Sequence, residues 1–248
     1  MCTVVILRRP GQDWPLILGA NRDEMAGRPW LPPARHWPDR PDVVAGLDRL
    51  AGGSWLGIND SGVIAAIMNR EHSLGPAAGK RSRGEIVLEA LDHGDAADAA
   101  RALSALDGDA YRPFNLIVAD NRDALWLRHA GEGRINVSSL PTGVSMITAH
   151  DLNDTGHARI ATYLPRFREA PTPDPARGDW SAWEALMAAT ESPDGAGPRG
   201  AMALAADHGY GTLSSALIAL PTPGVADKPV FRFAEGRPGT APWREVLL

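Results

Sequence analysis

The chain alternates between short apolar runs and turn-forming segments, a pattern that predicts strands paired as hairpins. Residues 3–7 and 16–20 are aliphatic or β-branched, and residues 10–13 between them contain adjacent proline and glycine. Apolar runs separated by such a turn signal are typical of antiparallel strands. We therefore predict that the chain starts with a buried hairpin.

The same pattern continues along the rest of the chain. Residues 25–42 are rich in proline, arginine and tryptophan and are predicted to form an ordered but irregular loop. Two strands flank a predicted turn at residues 59–62, and the second of them is expected to end at Asn69. Further strands are predicted at residues 114–119, 124–127, 134–137, 143–148, 211–220 and 230–233.

Apolar residues at helical spacing predict four helices. One begins with a capping box formed by Ser82 and Glu85, and the others lie at residues 95–106, 156–167 and 180–189. The strands are grouped as hairpins rather than alternating with helices, which argues against a parallel sheet. We predict an α+β fold with two antiparallel sheets packed face to face and covered by helices, in a single domain over residues 1–248.

Composition and charge exclude several classes of function. The chain has 248 residues, of which 44% are hydrophobic and 22% charged, with a net charge of −5 and a single cysteine. The acidic balance argues against nucleic-acid or anionic-membrane partners, and one cysteine excludes an internal disulfide framework. No apolar run approaches the length of a membrane span, about 18 residues, and no signal peptide is recognisable. We expect a cytoplasmic protein with no transmembrane segment.

The candidate chemistry lies at the start of the chain. The only cysteine, Cys2, directly follows Met1, and an initiator methionine is normally removed before a small residue. The mature chain would then begin with a thiol and with an α-amine whose pKa is about 7.7–8.0, so that the amine can act as a base. A nucleophile activated by its own terminal amine is a known catalytic arrangement. The second strand is expected to bring residues 21–24 to the same end of the hairpin.

These residues also carry a resemblance to a known family. The run Ala20-Asn21-Arg22-Asp23-Glu24 behind Met1-Cys2 resembles the signature of the NRDE family, which is named after four of these residues and includes transport and Golgi organisation protein 2. That family is similar to the N-terminal-nucleophile (Ntn) hydrolases, especially the bile-salt hydrolase and penicillin V acylase branch, which implies a four-layer αββα sandwich. Supporting segments follow in the expected order: Gly53-Ser54-Trp55-Leu56-Gly57-Ile58-Asn59, Met68-Asn69-Arg70, Ser82-Arg83-Gly84, Phe114-Asn115-Leu116-Ile117 and Tyr210-Gly211-Thr212.

The resemblance implies catalytic roles for four residues. Cys2 would be the nucleophile, Asp23 the carboxylate that positions its amine, and Asn69 a donor to the oxyanion, a contact worth about 2.7–4 kcal/mol. Arg22 would lower the pKa of the thiol or bind a substrate carboxylate. Simpler interpretations stay open: Cys2 as an inert buried thiol, the Asn21 to Asp23 segment as a hairpin exit with an internal ion pair, and Asn69 as a turn residue.

The chain departs from the family pattern at two places. Where relatives tend to have Leu-Ser-Asn this chain has Ile147-Thr148-Ala149, so that His150 or Asn153 would have to replace an asparagine. Where relatives have Gly-Thr-Arg-Ser, the arginine is replaced by Leu213.

Five residues are candidate ligand contacts. Arg28 and Arg83 would meet anionic groups. Arg83 also lies at a predicted helix start, which itself favours anions. Trp55 either packs in the core or stacks on a ligand. His150 is the best placed of the seven histidines, none of which shows the spacing of metal ligands. These five residues are Asn21, Arg28, Trp55, Arg83 and His150.

Two functions remain open. In the first, Cys2 attacks a small, partly apolar amide, the amine transfers the proton, and water releases the acyl group, so that no cofactor is required. In the second, the same pocket binds haem, or an acyl-CoA or lipid, and serves intracellular trafficking without turnover, as the family resemblance implies. Cys2, His36 or His150 would then lie near the haem iron, and Arg22, Arg28 or Arg83 would meet its propionates. The sequence contains no Cys-x-x-Cys-His motif, which excludes that mode of covalent haem attachment.

Overall fold

A computed structural model describes residues 2–206, 209–224 and 227–248. The helices in this part of the chain are α1 (Gly84–Leu91), α2 (Ala96–Ser104), α3 (Ala158–Glu169) and α4 (Ser181–Met187). The strands are β1 (Thr3–Arg8), β2 (Leu16–Met25), β3 (Trp30–Ala34), β4 (Val43–Asp48), β5 (Leu56–Asn59), β6 (Ile64–Asn69), β7 (Phe114–Ala119), β8 (Ala124–His129), β9 (Ile135–Ser139), β10 (Gly143–Ile147), β11 (Tyr210–Leu220), β12 (Val230–Ala234) and β13 (Trp243–Glu245).

One compact unit combines the start of the chain, up to Arg28, with the stretch from Pro141 to Leu247. Its sheet has the strand order β10-β1-β2-β11-β12-β13, and the pairs are antiparallel. Side chains from β1, β2, β10 and β11 pack with α3 and α4 in a buried core that includes Trp180 and Trp183. This apolar contact holds the helices on one face of the sheet.

The other compact unit extends from Pro29 to Leu140. Its strands follow one another in the sheet in chain order, from β3 to β9, with antiparallel pairing throughout. The apolar face of α1 and the alanine-rich face of α2 pack on this sheet in a second core that contains Phe114 and Tyr111. Each unit is therefore one antiparallel sheet with its own pair of helices.

The predicted fold class is confirmed: the structure is α+β and contains two antiparallel sheets. The hairpin of β1 and β2 and the other predicted strands and helices are present, with small shifts at their ends. Apolar alternation predicted these elements because each one buries a face within its own unit. The organisation of residues 1–248 as a single domain stays a prediction.

Two predictions about the early strands are wrong in detail. The second strand does not end before Asn21 but continues to Met25, because β11 pairs with it over its whole length. The segment predicted as an irregular loop contains β3, in which Pro32 and Pro33 lie at the edge of a sheet and interrupt the register with β4. Proline is tolerated there because an edge strand leaves one row of backbone N–H groups without a partner strand. The strand β4 itself was also missed.

The capping box predicted at Ser82 and Glu85 does not form. The cap residue of α1 is Arg83, without a capping side-chain bond, and the Ser82 hydroxyl accepts from the backbone N–H of Gly84 at 3.2 Å. Instead, the Gly84 carbonyl accepts from the Ser54 backbone N–H at 3.0 Å. Close approach of two backbones, rather than a capping side chain, determines where this helix begins.

We expect Gly53→Ala to lower the free energy of unfolding by about 1–3 kcal/mol, the usual effect of overpacking. A Cβ at Gly53 would lie 2.4 Å from the carbonyl carbon of Gly84, which is backbone and cannot move aside easily. Thermal and urea unfolding would measure the change. The matched control is Gly94→Ala, since a Cβ at Gly94 meets no heavy atom within 4 Å. Equal stability of the two variants would contradict the prediction.

No helix in the described residues is both long and apolar enough to cross a bilayer.

Candidate active site

Cys2 lies directly before β1, beside the polar end of β2. Thr3 is paired with Asn21, so the next residues of β2 extend past the start of β1 and line the position of Cys2. The Cys2 thiol donates to the backbone carbonyl of Asp23 at 3.6 Å, and the residue keeps part of its surface exposed. The predicted nucleophile and the predicted carboxylate residue are thus brought together by the register of one hairpin.

The carboxylate of Asp23 is buried and held on both oxygens. Oδ1 accepts from the hydroxyl of Thr212 at 2.6 Å, and Oδ2 accepts from the Arg159 guanidinium at 3.1 Å. The backbone carbonyl of the same residue accepts from the Tyr210 hydroxyl at 3.2 Å as well as from the thiol. Because polar groups from β11 and α3 converge on the carboxylate of Asp23, this side chain has one defined orientation.

Arg159 is a site residue that the sequence pattern did not identify, as are Thr212 and Tyr210. The Arg159 side chain is completely buried, as is that of Asp23. Besides Asp23 it donates to Thr3 Oγ1 at 2.7 Å and to the Arg199 carbonyl at 3.1 Å. A signal was available, because an arginine on the apolar face of a helix is rarely buried without a partner. Arg159 shares this face of α3 with Ile160, Tyr163, Leu164 and Phe167.

Burial controls the acidity of the site. Desolvation raises the pKa of the Cys2 thiol, the nearby Asp23 adds to this effect, and Arg22 opposes it. Burial, followed by the charges of Cys2 and Asp23, raises the pKa of the Tyr210 hydroxyl, which therefore stays a hydrogen-bond donor. A thiol in this environment is neutral at pH 7 and needs a base in order to react.

We accordingly expect iodoacetamide to alkylate Cys2 slowly at neutral pH. Thiolate is the reactive form, so a raised thiol pKa should make the rate increase steadily from about pH 7 to about pH 9 without levelling off. Intact-mass measurement reports this rate directly, since the chain has a single cysteine. Free cysteine is the reference compound. A rate that levels off below about pH 8 would show that the thiol is acidified instead.

Charged residues at the end of β2 form a second cluster. Arg22 Nη2 lies 3.8 Å from Glu24 Oε2, and Arg28 Nε lies 3.9 Å from the same oxygen. Arg22 is buried, whereas Arg28 and Glu24 are partly exposed. The structure thus brings both predicted arginines to one carboxylate, close in sequence to Asp23.

A β-bulge interrupts the pairing of β2 with β11 at this point. Thr212 lies opposite Asp23 and Ser214 opposite Arg22, so Leu213 is the inserted residue. Bulges are frequent next to active sites, where they redirect a side chain. The position at which the resemblance implied an arginine is therefore the bulged residue, and it presents a half-buried leucine.

The amide of Asn21 makes internal contacts. Its Nδ2 donates to the carbonyls of Met187 and Met202, each at 2.9 Å, and its Oδ1 accepts from the hydroxyl of Ser215. These bonds connect β2 with the end of α4, with the segment around Met202 and with β11. They account for a buried asparagine at this position, and its ligand-binding role stays a prediction.

His150 and Asn153 lie in the loop after β10. The ring of His150 is stacked on that of His157, with 3.3 Å between centroids. Asn153 adopts a positive φ and its side chain binds the end of β10, with Oδ1 accepting from the Met146 backbone N–H at 2.8 Å and Nδ2 donating to Ser145 Oγ at 3.3 Å. The Asn153 side chain thus stabilises the turn after β10. A ligand role for His150 stays a prediction.

Three predicted site residues belong to the other unit. Asn69 is the last residue of β6 and lies half-buried opposite Phe114. The indole of Trp55 packs edge-on against Trp30 at 5.7 Å, and a Cβ at Gly46 would lie 2.3 Å from it. This close packing supports the interpretation of Trp55 as a packing residue.

Arg83, in the same unit, binds backbone and side-chain oxygens of neighbouring segments. Its Nη1 donates to Ser73 Oγ and to the Pro113 carbonyl, each at 2.9 Å. These bonds tie the start of α1 to two loops. The roles of Asn69 and Arg83 in binding or catalysis stay predictions.

Comparison of the sequence with known proteins identifies related chains. A family model described as "Transport and Golgi organisation 2" matches residues 1–174. A bovine Transport and Golgi organization protein 2 homolog is 40% identical over 111 residues, which is 42% of this chain and 38% of the bovine protein. The human homolog is 39% identical over 110 residues, with the same coverage. The matched segment therefore spans less than half the length of these curated relatives.

Comparison of the structure identifies the fold. A Caenorhabditis elegans N-acylethanolamine-hydrolyzing acid amidase ortholog aligns over 99% of this chain and 100% of its own, with a TM-score of 0.59 and 13% identity. A conjugated bile acid hydrolase from Clostridium perfringens aligns over 99% of this chain and 92% of its own, with a TM-score of 0.56 and 12% identity. A penicillin V acylase from Agrobacterium tumefaciens aligns over 99% of this chain and 86% of its own, with a TM-score of 0.54 and 14% identity. At these identities the likeness concerns the fold alone, and it confirms the predicted Ntn-hydrolase fold.

Proposed function

The chain belongs to the Transport and Golgi organisation 2 family, and from this premise we propose that it is a cytoplasmic cysteine-nucleophile hydrolase that cleaves a small amide bond. One observation carries the proposal: the Cys2 thiol contacts the residue whose buried carboxylate is held by Thr212 and Arg159. The names of the structural neighbours (an amidase, an acylase and a hydrolase of conjugated bile acids) favour the same type of bond.

The first half of the reaction uses the two groups of one residue. Removal of Met1 would give Cys2 a free α-amine, which Asp23 would orient by accepting a hydrogen bond from it. The amine takes the thiol proton while sulfur attacks the amide carbon, and the carbonyl oxygen becomes an oxyanion. The ammonium then gives its proton to the leaving nitrogen, the C–N bond breaks, and a thioester with Cys2 remains.

The second half regenerates the enzyme. The amine accepts a proton from water, the resulting hydroxide adds to the thioester carbon, and the sulfur leaves and is reprotonated, so a carboxylic acid is released. The family resemblance implies Asn69 as the donor to the oxyanion, and that role stays a prediction. Arg22, with Arg28 beside the same glutamate, would bind a carboxylate on the substrate.

Intact-mass spectrometry tests the proposal directly. We expect purified protein to lack Met1 and, after brief exposure to penicillin V, an N-acylethanolamine or a conjugated bile acid, to gain the mass of one acyl group. Cys2→Ala is the matched control, because it removes only the sulfur, and it should gain no mass. Retention of Met1, or equal acylation of the control, would contradict a mechanism that depends on the amine and the thiol.

The charged cluster also favours a second candidate function. Two arginines share the carboxylate of Glu24 at the end of β2, an arrangement that suits the acidic groups of a hydrophobic anion. We propose as the alternative that the chain binds haem, or an acyl-CoA or lipid anion, and carries it without turnover. Cys2 or His150 would then lie near the haem iron.

Titration with haemin separates the two functions. A carrier should give a saturable change in the Soret band at one equivalent, weakened in Cys2→Ala if the sulfur ligates the iron. Arg28→Ala should weaken binding in either case, because it removes a partner for an acidic group. Absence of a saturable change in the unaltered chain would contradict haem carriage.

A further inference from the structure

A buried arginine on α3 reaches the two strands that hold the candidate active site. Arg159 lies at the start of the apolar face of the helix, and its guanidinium is inaccessible to solvent. Burying a charge is costly unless it is paired and hydrogen-bonded. Such a residue needs an explanation beyond packing, because a leucine or methionine would fill the same space at a lower cost.

The contacts of Arg159 show what it holds. A single nitrogen, Nη1, donates to Thr3 Oγ1 at 2.7 Å and to Asp23 Oδ2 at 3.1 Å. Thr3 is the residue directly after Cys2, and Asp23 is the carboxylate that accompanies the thiol. One guanidinium nitrogen thus bridges the residue adjoining the nucleophile and the acid on the neighbouring strand.

The second oxygen of Asp23 is fixed from another direction. Thr212 donates to Oδ1 at 2.6 Å, and its own hydroxyl accepts from the Leu204 backbone N–H at 2.8 Å. Arg159 and Thr212 therefore prevent rotation of the carboxylate about its last bond. An ionised carboxylate has about four acceptor positions, enough for these two donors and for the α-amine of Cys2.

We propose that Arg159 is a positioning residue, which orients the Asp23 carboxylate toward the Cys2 amine. The inference rests on the proposed hydrolase function and adds a residue to it. Arg159 does not touch the substrate in this scheme and acts through Asp23. The guanidinium that contacts Asp23 belongs to Arg159 on α3. The position on β11 at which the resemblance implied an arginine carries Leu213 instead.

Acylation kinetics test the inference on four forms of the chain. With a substrate that acylates the unaltered protein, Arg159→Met should lower kcat about 10²-fold, the effect expected of a misplaced catalytic group, with little change in KM. Arg159→Lys should recover part of this loss, since it keeps the charge. Arg166→Met is the control, since Arg166 belongs to the same helix but forms an exposed pair with Glu191.

A double variant shows whether Arg159 acts through Asp23. In the background of Asp23→Asn, the additional change Arg159→Met should have almost no further effect on kcat per folded molecule, whereas a merely structural role would give multiplied losses. This variant also carries no unpaired buried charge, so it remains informative if Arg159→Met alone fails to fold.

The outcomes separate the two proposals. If the unaltered chain acylates and Arg159→Met acylates at the same rate, the positioning role is overturned and the hydrolase function stands. Multiplied losses in the double variant also overturn the positioning role alone. If the unaltered chain forms no acyl-enzyme, the hydrolase function fails and the positioning role fails with it.

Discussion

Replacement of Asp23 by asparagine is expected to slow acylation of Cys2 by about 10²–10⁴-fold, the range that a positioned acid–base system contributes. The change preserves the size of the side chain and one acceptor oxygen. It removes the negative charge that would orient the protonated amine after it has taken the thiol proton. Since the thiol itself is kept neutral by burial, the reaction depends on that transfer.

The contacts of the carboxylate explain why another residue cannot compensate. Both oxygens of Asp23 are held by side chains that come from separate parts of the chain, Thr212 and Arg159. An asparagine keeps only one acceptor oxygen: if that oxygen stays on Arg159, the NH₂ group faces Thr212, whose hydroxyl must then accept instead of donate. The amide is neutral in either orientation, so it cannot replace the charge of the carboxylate.

The measurement is the rate at which the mass of the acyl-enzyme appears, expressed per folded molecule as judged by circular dichroism. Asp13→Asn is the matched control, because it makes the same chemical change at an exposed turn of the same hairpin. It should acylate at the unaltered rate. A loss of less than about tenfold in Asp23→Asn would show that the carboxylate does not orient the base.

Much of the fold could be predicted from the local pattern of apolar runs and turn signals. The hairpin of β1 and β2 was predicted because apolar runs flank a Pro-Gly turn, and its register then places Cys2 beside the polar end of β2. The extent of β2 was underestimated, since its polar residues look like a loop until β11 pairs with them. Pairing with a strand nearly 200 positions away is a tertiary effect, which sequence pattern around residue 21 does not contain.

In the candidate site too, residues close in sequence could be predicted, whereas contacts between distant parts of the chain could not. Cys2 is recognisable from its place behind Met1, and the first hairpin brings residues 21–24 to it, while the role of Asp23 among them is implied by the family resemblance. Arg159 was overlooked because its contact with Asp23 joins residues 136 positions apart. Only its place on the apolar face of α3 indicated that it is buried with a partner.

Several polar residues that were predicted to bind a ligand make structural contacts instead. Asn21, Asn153 and Arg83 look equally suited to binding a ligand, yet each donates to protein oxygens in the structure. The reason is that loops and strand ends contain carbonyls that need donors, and buried polar groups are satisfied by whatever lies nearest. Residue type alone therefore overestimates the number of ligand contacts.

Arg159→Met is expected to lower the free energy of unfolding by about 3–5 kcal/mol, because it leaves the buried carboxylate of Asp23 without its cation. The Thr3 hydroxyl and the Arg199 carbonyl lose a donor in the same variant. Urea unfolding followed by tryptophan fluorescence measures the change. Arg166→Met, in an exposed pair on the same helix, should differ little from the unaltered chain.

Removing both charges should restore part of this loss. Arg159→Met combined with Asp23→Asn leaves no uncompensated ion in the core, so the double variant should be more stable than Arg159→Met alone, although it carries one more substitution. A double variant that is equally stable or less stable would mean that shape, and not charge, determines the cost of losing Arg159. If the charges do govern it, the chain maintains a buried ion pair that a neutral pair could replace for stability alone. Catalysis at Cys2 would then be the reason for keeping it, because only the ionised Asp23 can orient a protonated amine.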